Sequence, residues 1–176
     1  MASEIQTDVA IIGAGPVGLF AVFELGMLKL SSVLIDALAE VGGQCAALYP
    51  EKPIYDIPAH PAIDAGELVA QLERQIAPFH APRLLGRRVI GLTGEAGAFA
   101  LTTDQDDTVH AKAVIVAAGA GAFGPNRPPL EGLVRYEATG AVQYYVRRRD
   151  DLRGKRVVIA GGGDSAVDWA LAIRRT

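Results

Sequence analysis

The stretch IQTDVAIIGAGPVGLFAVFELGMLKLSSVLID, residues 5–36, decides the fold. Ile5 to Ile12 is a strand whose only charge, Asp8, precedes the apolar run Val9-Ala10-Ile11-Ile12. It enters the turn Gly13-Ala14-Gly15-Pro16-Val17-Gly18 directly. Pro16 falls in the first turn of a helix, where its missing N–H is tolerated. Leu19 to Leu30 is apolar on most faces, which predicts a buried helix. Val33 to Ile35 forms a second short strand ending at Asp36. Strand, turn, helix and strand within roughly thirty residues make a βαβ unit.

The spacing of Gly13, Gly15 and Gly18 is G-x-G-x-x-G. The first glycine permits the tight turn, the second lets backbone approach a pyrophosphate, and the third lets helix and strand pack closely. The helix N-terminus then offers free N–H groups and a positive end to the phosphates. Asp36 follows at close to the usual distance, about twenty residues, for an acid on ribose hydroxyls. A carboxylate there repels a 2′-phosphate, so this first site should not take NADP. The competing readings are a turn required only for packing, and an Asp36 that is a solvated strand-end acid.

A second turn, Gly161-Gly162-Gly163-Asp164-Ser165-Ala166, follows G-x-G-x-x-A. Gly161 and Gly163 would there do the work of Gly13 and Gly15. Arg156 to Ala160 before it is expected as a buried strand, and Val167 to Ile173 after it as a helix. Two such turns point to two dinucleotides, as in flavin reductases that pass a hydride from a nicotinamide to a flavin. Packing alone is again the alternative. The residue that separates NAD from NADP would fall beyond Thr176; Arg174 and Arg175 come too early.

Between the turns, residues 42–61 read as loop, broken by Pro50, Pro53, Pro58 and Pro61. Asp64 is expected to cap a helix, with Glu67 as its capping-box partner. Leu68, Leu72, Ile76 and Phe79 line one stripe of that helix. Arg88 to Leu92, Phe99 to Thr103 and Thr108 to His110 are expected as strands of an antiparallel meander inserted in the sheet. Ala113 to Ala117 is another buried strand, followed by Gly119, Gly121 and Gly124. Pro125 to Pro129 marks a linker, and Ala141 to Val146 a further strand. The fold class is α/β: a Rossmann-like, three-layer β/β/α dinucleotide-binding domain over residues 1–125, then part of a second Rossmann-like domain over 126–176.

Composition narrows the function classes. Of 176 residues, 50% are hydrophobic and 21% charged, with a net charge of −3, which suits a globular domain with a sizeable core. No basic stripe invites nucleic acid. Val9 to Leu30 is apolar, but Gly13, Gly15, Pro16 and Gly18 interrupt it and Glu24 and Lys29 sit inside it, so no membrane span is expected. Glu4 and Asp8 argue against a secretory signal, and a cytoplasmic location is expected. Cys45 has no partner for an intrachain disulfide; it reads as a small, semi-buried side chain. His60, His80 and His110 lack ligand-like spacing, so no metal is assigned. The run Arg147-Arg148-Arg149, with Arg153, Lys155 and Arg156, reads either as a solvated connector interleaved with Asp150 and Asp151 or as a surface for an acidic protein.

Two further stretches carry a resemblance. Gly42-Gly43-Gln44 through Leu48-Tyr49-Pro50-Glu51-Lys52-Pro53-Ile54-Tyr55-Asp56-Ile57-Pro58, and KRVVIAGGGDSAVDWAL from Lys155 to Leu171, closely resemble the thioredoxin-reductase-like ferredoxin–NADP reductases of bacteria. The resemblance runs along essentially the whole chain, and the middle block is its most specific part. It implies FAD in the first domain, NADPH in the second, hydride transfer to the flavin, and single electrons to ferredoxin or flavodoxin. It also implies that Asp36 meets the adenosine ribose, that Gly43, Gln44 and Tyr49 lie close to the flavin, that Val89 meets the adenine side through its backbone, and that Phe123 packs near the isoalloxazine. Thioredoxin reductases carry a C-x-x-C before the second glycine turn; Ala141 to Asp151 holds no cysteine, which argues for the ferredoxin branch. Disulfide reductases of the glutathione type place a second cysteine where Pro50 stands here. Family members are about twice this length, so the chain is expected to be a fragment or the product of a shortened gene. Two other readings follow: a catalytically inactive nucleotide-binding remnant, or a thioredoxin reductase relative. Apolar edges of a cut sheet predict homodimers or other self-association.

Overall fold

The computed structural model describes residues 3–121, 127–146 and 148–174. Its elements are β1 (Glu4–Ile12), α1 (Pro16–Met27), β2 (Ser32–Asp36), α2 (Gly43–Ala47), β3 (Pro53–Ile54), β4 (Ile63–Asp64), α3 (Ala65–Ile76), β5 (Arg83–Leu85), β6 (Val89–Glu95), β7 (Ala98–Thr103), β8 (Thr108–Val116), α4 (Leu133–Ala138) and α5 (Asp164–Arg174).

One six-stranded sheet has the order β5-β2-β1-β8-β7-β6. β5, β2, β1 and β8 run parallel, while β6, β7 and β8 form an antiparallel meander. β8 belongs to both halves. The period-two alternation of β1 and β2 splits their apolar residues between two cores. Val9, Ile11 and Leu34 pack with Leu19, Val22 and Leu25 of α1 and with Leu68, Leu72 and Ile76 of α3. Ala10, Val33 and Ile35 point the other way and join Leu101, Val109 and Ala111 of the meander. Helices therefore back one face and the meander the other, the β/β/α layering expected of the chain.

Several expectations need correction. The helix opens at Pro16 as expected but ends at Met27, short of the expected Leu30. Lys29, at φ +60, turns the chain out of it, and Leu30 N–H closes onto Leu25 O. One face of α1 is buried, but Val17, Phe20 and Met27 are exposed, so the helix is not sunk in a core on all sides. No capping box forms at α3. The first amides, of Ala65 and Gly66, donate to the carbonyls of Lys52 and Pro50, 3.0 and 2.8 Å away. Glu67 accepts instead from Gln71 and Arg74. Phe79 lies beyond α3, in a 3₁₀ turn, edge-on to Phe23.

The strands expected over 108–110 and 113–117 are one strand, β8, because β1 pairs with it from Thr108 to Val116 while Lys112 turns its ammonium out to Asp8; its later half is not buried as expected, Val116 being 71% exposed. The region 42–61 holds α2 and a two-residue pairing of β3 with β4. Residues 141–146 and 156–160 form no strand. A buried strand needs neighbours on both edges and both faces; Val158 is 93% exposed, and among the described residues no ladder partner stands beside it. Among the described residues, no helix is long and apolar enough to cross a membrane.

Candidate functional site

The C-terminal ends of β1, β2 and β8 meet at the Gly13 turn, where a doubly wound sheet opens its crevice. Gly13 has φ +111, and a Cβ there would lie 2.2 Å from Ala117 O. A Cβ on Gly18 would lie 1.8 Å from Gly13 O. Both glycines are therefore required by packing. Gly15 differs: its nearest neighbour would be Gly43 Cα, at 4.0 Å. Its open side faces a groove of about 610 Å³, a size usual for small-molecule sites.

Hydrogen bonds hold the turn from several sides. Gly13 N–H donates to Ile35 O at 2.8 Å, and Ala117 N–H to Ile12 O at 2.7 Å. Gly42 N–H donates to Ala14 O at 2.8 Å, which seats the Gly42-Gly43 loop against the turn. Asp36 ties the other flank: Oδ2 accepts from Ala14 N–H at 2.6 Å, and Oδ1 from Leu38 N–H at 2.8 Å. Its carboxylate thus braces the turn and lines the groove together. Asp36 is half-buried, with both carboxylate oxygens hydrogen-bonded to backbone amides.

Helix α1 begins here with Gly15 as its N-cap, no side-chain cap and no acid in its first turn. The first amides of a helix have no internal acceptor, and no side chain of the helix's own first turn occupies them or offsets its positive end. A pyrophosphate fits this cradle: free donors, a positive end, and an opening where a Cβ is missing.

The groove collects Gly13, Gly15, Pro16, Asp36, Gly43, Gln44, Tyr49 and Val89. Gly18, at the end of the turn, packs against Gly13 O and does not line the groove. Phe123 falls outside the described residues. Gly161 and Gly163 are not part of the groove; α5 follows their turn but buries no residue, and no strand leads into it. Composition and motif reading missed Arg87 and Arg88, which line the groove. No motif marks them, since the end of β5 comes beside Asp36 only through the tertiary pairing of β2 with β5.

Cys45 and Tyr49 form a small polar contact on the other side. Burial pushes the Cys45 thiol up; the hydrogen bond with Tyr49 opposes this and the charge of Asp56 adds to it. Burial also raises the Tyr49 hydroxyl, with Cys45 contributing next. Among the described residues, no group of His, Cys, Asp and Glu could hold a metal ion.

The family model described as pyridine nucleotide-disulphide oxidoreductase matches residues 7–176. A protein from Acidiphilium cryptum named ferredoxin–NADP reductase is 77% identical over 173 residues, 98% of this chain and 51% of that protein. One of the same name from Granulibacter bethesdensis is 77% identical over 170 residues, 97% of this chain and 49% of that protein. The Lactococcus lactis thioredoxin reductase structure matches with a TM-score of 0.68 at 24% identity, over 96% of this chain and 53% of that one, a likeness of fold alone. The chain spans about half the length of the curated relatives it matches.

Proposed function

The chain belongs to the pyridine nucleotide-disulphide oxidoreductase family, and we propose that its groove binds FAD as part of a ferredoxin–NADP reductase. The observation that carries this is the open side of Gly15, facing an uncapped helix N-terminus with Asp36 braced beside it. Residues 1–125 form the FAD-binding domain, and 126–176 belong to the NADPH-binding domain. Bound FAD would supply two-electron acceptance from NADPH and single-electron donation to ferredoxin or flavodoxin. The chain's own residues orient it: the Gly13 to Gly18 turn takes the pyrophosphate, Asp36 the ribose, and Gln44 and Tyr49 the flavin end. A cytoplasmic location accords with this role. Exposed Val116, Val157, Val158 and Ile159 support self-association, as a homodimer or a larger species.

One observation favours a second reading, a nucleotide binder without turnover. The residues before the second glycine turn, 156–160, are exposed and form no strand, so the described residues build no nicotinamide pocket. A thioredoxin-reductase cycle is not supported, because Cys45 is the chain's single cysteine. The deciding experiment adds FAD to purified protein, removes the excess and records the flavin bands. Retained, perturbed bands are expected; a colourless protein would refute FAD binding. NADPH-driven reduction of ferredoxin or a dye then separates reductase from binder.

A further inference from the structure

Two arginines line the groove beside Asp36, and they are not alike. Arg87 is spent: Nε donates to Asp107 Oδ2 at 2.7 Å, and the Asp107 side chain is only 1% exposed. Arg88 makes no side-chain hydrogen bond or ion pair among the described residues, and it is exposed. Its backbone is nevertheless fixed. Arg88 N–H donates to Asp104 Oδ1, and Asp104 N–H donates back to Arg88 O, both at 2.9 Å. A cation on a pinned backbone, with no side-chain partner among the described residues, faces the groove.

Strand order says which end of the groove it faces. The phosphate cradle stands at the end of β1 and Asp36 at the end of β2; β5 is the next strand outward. The 86–88 segment is stitched to the chain after β2, Arg87 N–H donating to Asp36 O and Gly86 N–H to Leu38 O, each at 2.8 Å. Arg88 therefore lies beyond the ribose position, away from both the phosphates and the Tyr49 end. A dinucleotide laid along the groove puts its adenine there.

We propose that Arg88 clamps the adenine of the bound dinucleotide, its planar guanidinium stacked on the base, and so selects a dinucleotide over a mononucleotide. This rests on the FAD reading of the groove. A guanidinium suits the task because it stays charged and offers a flat, weakly hydrated face. Cation–π contacts of this kind correspond to about three- to thirty-fold in affinity.

The test titrates wild type, Arg88→Ala and Arg88→Lys with FAD, ADP and FMN separately, with circular dichroism to verify folding. Arg88→Ala should weaken FAD and ADP by the same factor, about three- to thirty-fold, and leave FMN unchanged. Arg88→Lys should recover only part of the loss. Unchanged FAD and ADP affinity in Arg88→Ala would overturn the clamp while leaving the flavin reading standing. Full recovery by lysine, or an equal loss for FMN, would also overturn it. Wild type that binds ADP but not FAD would remove the flavin reading, and the Arg88→Ala loss on ADP would still support the clamp. Wild type that binds neither would end both.

Discussion

Gly15→Ala and Gly18→Ala should separate what the turn does for the fold from what it does for the ligand. At Gly18 a Cβ would sit 1.8 Å from Gly13 O and 3.5 Å from Ile11 Cγ2. Relief to an ordinary contact needs a shift of roughly 1.5 Å, the rise of a whole helical residue. Helix α1 cannot move that far without breaking the packing of Leu19, Val22 and Leu25, which are all buried. The expected cost is that of overpacking, about 1–3 kcal/mol or somewhat more. Gly15 has ordinary φ and ψ, −72° and −177°, and its Cβ would meet only Gly43 Cα at 4.0 Å. Alanine there loses a little as an N-cap and gains a little from a stiffer unfolded chain, so stability should change by less than about 1 kcal/mol. The methyl instead occupies the approach to the helix amides. Losing one or two charge-assisted hydrogen bonds, at about 1.5–3 kcal/mol each, lowers FAD affinity by at least tenfold. Urea unfolding of the apo-protein and flavin fluorescence titration read the two effects independently. If Gly15→Ala destabilises as much as Gly18→Ala, or binds FAD like wild type, the assignment of Gly15 to the ligand is wrong.

Asp36→Asn replaces one carboxylate oxygen by a donor facing Ala14 N–H or Leu38 N–H; it should lower apo stability by about 1–3 kcal/mol, measured by urea unfolding, and weaken FAD as well. Burial pushes the Asp107 carboxyl up, but the Ser3 N–H, the Thr103 hydroxyl and Arg87 together outweigh it and hold it below its usual range. Its contribution is therefore complete above the ordinary carboxylate pKa, about 3.9, and is lost as pH falls through the lower folded value; the acid limb of thermal stability should flatten in Asp107→Asn. Cys45 is buried with a raised thiol, so a thiol reagent near neutral pH should react slowly with native protein and quickly in urea; fast native labelling would contradict the placement. The self-association proposed from Val158, 93% exposed, predicts that Val158→Asp shifts sedimentation toward the monomer without loss of helix signal; a wild type that already sediments as a monomer would refute it.

Local patterns were legible where local forces decide them. The spacing of Gly13, Gly15 and Gly18, the apolar run of β1 and the stripe Leu68, Leu72, Ile76 each report on one element or one turn. What stayed hidden depends on neighbours distant in sequence. β5 is three residues long and opens on a charge; it exists because Leu34, Ile35 and Asp36 of β2 pair with Arg83, Leu84 and Leu85. The cap of α3 comes from carbonyls more than a turn upstream, not from Glu67. Arg88 had no motif at all; only the pairing of β2 with β5 brings it to the groove.

The two glycine turns make the same point from opposite sides. Their sequences are close, yet in the first, Gly13 and Gly18 are pressed by Ala117 O and by Gly13 O itself, because β1, β2 and β8 converge on it. In the second, a Cβ on Gly162 or Gly163 would meet nothing within 4 Å. A glycine pattern specifies what a backbone can do; the surrounding strands decide whether it must. At Gly13 and Gly18 packing already explains the residue, so neither glycine is evidence of a ligand. Gly15, where packing asks for nothing and the helix amides lie open, is the position at which the pattern points beyond the fold to something bound.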